Sequence, residues 1–88
     1  MTKKSKLINK ILSGKADQNI PFDELVKVLE LLNFESRIKG SHHIFYKDEV
    51  DEIINIQAKK DNKAKAYQVK QVRDLIHKYN LYTENDEI

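Results

Sequence analysis

The sequence predicts an α+β domain of two layers, a three-stranded antiparallel sheet covered on one face by helices, with an additional helix at the N-terminus. Three observations carry this reading. Apolar residues recur at helical spacing in three segments, the period falls to two between residues 34 and 56, and 88 residues are enough for one core and too few for two. Residues 1–88 are therefore read as a single domain.

Leu7, Ile8, Ile11 and Leu12 form one stripe over residues 4–13, and Gly14 follows where helices commonly end on a left-handed residue. After a polar stretch, Ile20-Pro21 leads into a second helix at Phe22, with Asp23 and Glu24 in its first turn complementing the dipole. Leu25, Val28, Leu29 and Leu32 make its buried stripe, and Asn33 its stop. Phe34, Ser36 and Ile38 then alternate with Glu35, Arg37 and Lys39, as in a half-buried strand. Gly40 permits a tight turn into a second strand, His42 to Tyr46, which should end at an acidic hairpin loop over 47–52. Ile53 to Ile56 reads as the third strand, 57–65 as a polar loop rich in lysine, and 66–79 as the last helix, with Val69, Val72, Ile76 and Tyr79 on one face. The acidic tail, 83–88, is expected to fray. Helices flanking the sheet in sequence cover one of its faces and leave the other free for a ligand.

A net charge of +2 does not by itself argue for nucleic acid, so the distribution of charge has to carry that question. The chain has no cysteine, which excludes a disulfide scaffold, a thiolate zinc site and a cysteine nucleophile, and fits a cytoplasmic protein. The basic start lacks the continuous apolar stretch of a signal peptide, and no transmembrane run occurs, so no membrane partner is expected. There is no P-loop, no pair of histidines at helical metal-binding spacing and no Gly-x-Ser-x-Gly elbow.

Two groups of residues can carry chemistry. Gly40-Ser41-His42-His43 lies where one strand turns into the next, beside Arg37 and Lys39. Histidine is the side chain that changes charge near neutral pH. With Lys or Arg beside it, it can supply the acid–base step and the phosphate stabilisation that RNA transesterification needs, without a metal. Adjacent strand residues point to opposite faces, so only one of the two histidines belongs to a given site and the other is core or surface. A zinc pair is disfavoured for the same reason, with His77 the one further nitrogen ligand, far along the chain. The second group is Lys59, Lys60, Lys63 and Lys65, followed by Lys70 and Arg73, with Asp61 the only acid among them. Lysines before a helix N-terminus conflict with its dipole, and a phosphate gripped by ammonium groups and first-turn amides resolves that conflict; the bland alternative is a solvated loop. Of the tyrosines, only Tyr67, early in the last helix beside the lysines, is a candidate to meet a nucleotide; His77 is explained by its place near a helix C-terminus.

The order of these elements, with Arg37-Ile38-Lys39 running into Gly40-Ser41-His42-His43-Ile44-Phe45, then a third strand, a lysine-rich loop and a closing helix, resembles the HicA toxins of bacterial toxin–antitoxin systems over roughly residues 22–80. The resemblance implies a fold similar to double-stranded-RNA-binding domains, cleavage of mRNA and neutralisation by a HicB-like antitoxin, with no small-molecule cofactor and no metal. It divides the chain into an extension, 1–19, a HicA-like core, 20–82, and the tail, 83–88. It implies His42 as the catalytic histidine, with His43 as the alternative, and likens Lys59 to Lys65 to a phosphate-binding cluster; together with the residues read above, Arg37, Lys39, Gly40, Ser41, Lys59, Lys60, Lys63, Lys65 and Lys70 are the candidates to meet RNA or its phosphates. Many members carry a Pro-x-His segment after the third strand, where this chain has Ile56-Gln57-Ala58-Lys59. The expected function is a metal-independent endoribonuclease toxin. The alternatives are a non-catalytic double-stranded RNA-binding module, which would bind with a steep salt dependence and form no product, and a basic surface that meets an acidic protein.

Overall fold

The computed structural model describes residues 3–82, so the tail 83–88 lies outside the described residues. In chain order it contains α1 (Lys3–Ser13), a 3-10 turn (Asp17–Asn19), α2 (Phe22–Leu31), β1 (Glu35–Lys39), β2 (His42–Lys47), β3 (Val50–Ile56) and α3 (Ala66–Lys78). The strands form one antiparallel sheet in the order β1-β2-β3. Phe45, Ile54 and Ile56 on its inner face join Leu25, Val28, Leu29, Val69, Val72 and Ile76 of the helices in a single core. This is the two-layer α+β arrangement expected. Among the described residues no helix is long and apolar enough to cross a membrane.

The helix ends follow local chemistry. Gly14 stops α1 at φ +69. Asn33 and Asn80 do the same after α2 and α3, at φ 68 and 51. The amide of Phe34 reaches the Leu29 carbonyl and that of Leu81 the Ile76 carbonyl, which is the six-to-one bond of a Schellman stop. The N-terminal helix packs on the rest through Ile8 and Ile11, both buried in the core. Lys10 ties it to Glu24 of α2 at 2.9 Å, and Arg73 of α3 donates to the Ile11 carbonyl at 3.2 Å.

Two expectations about the sheet are corrected. All five residues of β1 are exposed, so it is an edge strand open on both faces and not half-buried; Phe34, just before it, is the residue that enters the core. The helices cover β2 and β3, which leaves Ile38 two-thirds exposed (66%). The hairpin loop is also shorter than 47–52: Lys47 pairs with Val50, and β3 runs from there. Val50 is buried and Glu52 points inward to α3, so the acidic residues that resembled a loop alternate across a strand.

Glu52 joins β3 to α3. Its carboxylate accepts hydrogen bonds from Lys78 at 2.7 Å and the Tyr79 hydroxyl at 2.6 Å. These two bonds, Lys78 first, hold its carboxyl well below the ordinary 4.5, at about 2. A depressed folded-state value contributes stability above about pH 4.5 that is lost as pH falls towards 2. Glu52→Gln should therefore flatten the fall of Tm across that window while leaving its shape above it unchanged. An acid limb as steep as that of the native protein would show that the contact does not hold in solution.

Candidate RNA-cleavage site

The site begins at the turn between β1 and β2. Lys39 pairs with His42, so Gly40 and Ser41 alone make the connection. Gly40 lies at φ +62, as the first central residue of a type II′ hairpin turn must, where a side chain would be strained even though a Cβ would meet nothing within 4 Å. The turn fixes the register, and the register fixes which histidine faces where. Arg37 and Lys39 of β1, His42, Ile44 and Tyr46 of β2, and Asn55 of β3 share the outer face, which no helix covers. His43 is on the inner face, half-buried, with its ring edge-on to Phe22 at 5.0 Å and 74°. The two histidines are thus separated by the sheet, and His43 is a packing residue against the start of α2.

His42 is exposed and held from one side. Its Nδ1 lies 3.0 Å from Asn55 Oδ1; with the amide oxygen as acceptor, Nδ1–H donates, which makes Nε2 the acceptor nitrogen of the ring. Beside this pair, Gln57 donates from Nε2 to the Ser41 hydroxyl at 2.7 Å, which joins the turn to the end of β3. His42, Asn55 and Gln57 line a shallow depression of about 280 Å³, together with Lys65, Tyr67 and Gln68 from the start of α3. Lys65 is the N-cap of that helix, which has no side-chain cap and no acid in its first turn, an arrangement that favours an anion. Gln68 is 2% exposed, and its Oε1 has no hydrogen-bond partner. A buried acceptor left unpaired costs about 1–3 kcal/mol.

The remaining cations divide. The Lys59 and Asn62 backbones close a compact turn, and the amides of Phe22 and Ala64 bond across to Asn62 and Ile20, so the lysine loop is pinned to the start of α2. Lys60 is exposed, and Lys59 has a loose contact of 3.9 Å with Asp61. Lys63 is turned back on Asn19 at 3.1 Å. Lys70 is exposed on α3. Arg37 lies over the Tyr46 ring, 6.0 Å from its centroid, on the same open face as His42. Arg73 does not belong with the lysines: it forms a two-point bond to Asp17 at 2.9 and 3.1 Å, which holds its guanidinium further above its ordinary value, and it serves to fasten the 3-10 turn to α3.

Three carboxamides around His42, those of Asn55, Gln57 and Gln68, were not singled out from sequence. The signal for the first two was present: in Ile53-Ile54-Asn55-Ile56-Gln57 the polar residues fall at period two on the face opposite Ile54 and Ile56, and an antiparallel hairpin returns that face to His42. Gln68 had a weaker one, a polar residue directly before Val69 in a buried helical stripe.

No curated protein and no solved structure matches the chain. A family model for the HicA toxin of bacterial toxin–antitoxin systems matches residues 22–77, from the first residue of α2 almost to the end of α3, and so includes the whole sheet, His42 and the lysine loop. On that match, which covers more than half of its length, the chain belongs to the HicA family of bacterial toxins.

Proposed function

We propose that this chain is the toxin of a type II toxin–antitoxin pair and acts as a metal-independent endoribonuclease on mRNA in the cytoplasm. The observation that carries the proposal is the held but open His42: Asn55 occupies Nδ1 at 3.0 Å, and the residue is exposed on the sheet face that no helix covers. In this reading Nε2 removes the proton from a ribose 2′-hydroxyl, and the 2′-oxygen attacks the adjacent phosphorus. The bond from phosphorus to the 5′-oxygen breaks, and that oxygen takes a proton from water, leaving a 2′,3′-cyclic phosphate. Lys39, across the strand pair from His42, Arg37 and the Gly40-Ser41 turn lie on the side where negative charge develops. Lys65 with the first-turn amides of α3, Lys59, Lys60 and Lys70 hold the flanking phosphates, with Lys63 of their loop spent on Asn19. A HicB-like antitoxin inhibits by covering the open face.

The test is incubation of the purified protein with labelled mRNA in EDTA. Product ending in a 2′,3′-cyclic phosphate is expected. Binding without any product would sink the nuclease and favour a double-stranded RNA-binding module.

A further inference from the structure

We infer that the free edge of β1 is a self-association site, on which a second copy of this chain adds its own β1 antiparallel about a two-fold axis at Ser36, joining the two sheets into one. The inference stands apart from the nuclease reading, since no step of it uses RNA.

The sheet has two edge strands, and they are treated differently. β3 loses its regular pairing with β2 between Phe45 and Lys47, and its Asp51 amide donates to the Tyr79 hydroxyl at the end of α3, 3.3 Å away. Bulges and covering elements are two ways in which proteins blunt a strand edge. β1 has neither among the described residues. It runs in unbroken register against β2 from Glu35 to Lys39, contains no proline and is exposed along its whole length. It also carries Ile38, an aliphatic side chain 66% exposed, on the face that the helices leave uncovered there. A regular, open strand of this kind offers its amides and carbonyls to another strand. Charges usually guard such an edge, but those of β1 are of both signs, and their order makes the strand complementary to itself.

The register follows from the hairpin. Lys39 and His42 flank a two-residue turn and so form a pair joined by backbone hydrogen bonds. The pattern alternates, so Glu35, Arg37 and Lys39 spend their backbone groups on β2, while Ser36 and Ile38 turn theirs outward. The two-fold registers that bring these outward groups together differ in charge. Ile38 opposite Ile38 sets Arg37 against Lys39. Ser36 opposite Ile38 gives Glu35 to Lys39 but sets Arg37 against its own copy, at a cross-strand position where the side chains are closest. Ser36 opposite Ser36 sets Glu35 against Arg37 on both sides of the axis and lays Ile38 beside Phe34 of the second copy, with no like charges opposed. This register is isologous, as a closed dimer requires. It places both His42 residues on the same open face, about 25 Å apart from strand spacing and rise.

The test is the mass of the full chain by sedimentation equilibrium from about 1 μM to 1 mM, the range suited to a small, transient interface. The native protein should pass reversibly from 10.4 kDa towards twice that mass. Ser36→Pro removes an outward amide, and proline is tolerated on the free side of an edge strand; it should keep its circular dichroism spectrum and stay monomeric. Glu35→Arg and Arg37→Glu each oppose like charges across the axis and should each be monomeric alone, whereas an equal mixture of the two restores both pairs and should form a mixed dimer. Should Ser36→Pro fail to fold, the charge variants decide. A native chain that stays at 10.4 kDa throughout overturns the inference and leaves the edge to a strand of another protein. So does a dimer that survives all three substitutions, or a mixture that does not associate. A protein that dimerises in this way and cuts no RNA would sink the nuclease alone.

Discussion

Replacing His42 by alanine should slow RNA cleavage by about 10²–10⁴-fold, the usual contribution of a positioned acid or base, with folding and RNA affinity almost unchanged. The imidazole is exposed and makes one hydrogen bond, to Asn55, so its removal leaves no buried group unpaired. Surface changes of this kind stay within about 0.5 kcal/mol of the native stability. Single-turnover cleavage and a thermal melt on the same preparation measure both quantities. His43→Ala is the informative companion, because it sits on the other face against Phe22. It should lose stability and keep its activity per folded molecule. If His43→Ala loses the chemistry and His42→Ala does not, the reacting phosphate lies on the helix-covered face and the proposed site is wrong.

That choice between two adjacent histidines shows where the sequence was sufficient and where it stopped. Period two says that His42 and His43 diverge, and it cannot say which side the helices take. The side is set by the helices, which bury Phe45 and Ile54 and leave Ile44 and Ile53 on the outer face although they are apolar too, and by the Lys39–His42 register that follows from a two-residue turn. The helix limits were legible because their signals are local: Gly14, Pro21 with Asp23 and Glu24, and Asn33 act within one turn. The limits of β3 were not. Asp48, Glu49, Asp51 and Glu52 have loop chemistry, and only α3, which supplies Lys78 and Tyr79 from far along the chain, makes Glu52 a strand residue facing inward. Arg73 was misread as part of a cationic patch for the same reason. Its partner Asp17 lies 56 residues away, and no local pattern announces such a pair.

The largest effect on stability should come from Phe45→Ala. Phe45 is 1% exposed at the middle of the central strand, paired with Ser36 on one side and Ile54 on the other. Truncating a buried Phe costs about 3–5 kcal/mol through lost burial and the cavity left behind. Domains of this size have roughly 5–15 kcal/mol in total, so the variant should melt at least ~12 °C lower, at about 4–8 °C per kcal/mol. Tyr46→Ala, the next residue on the opposite face and 36% exposed, removes a ring of similar size and should cost far less. The two melts together test the orientation of β2, on which the site depends. A strand has only two faces, so if Tyr46→Ala were the damaging change and Phe45→Ala the mild one, β2 would be turned over, with His43 on the open surface and His42 under the helices.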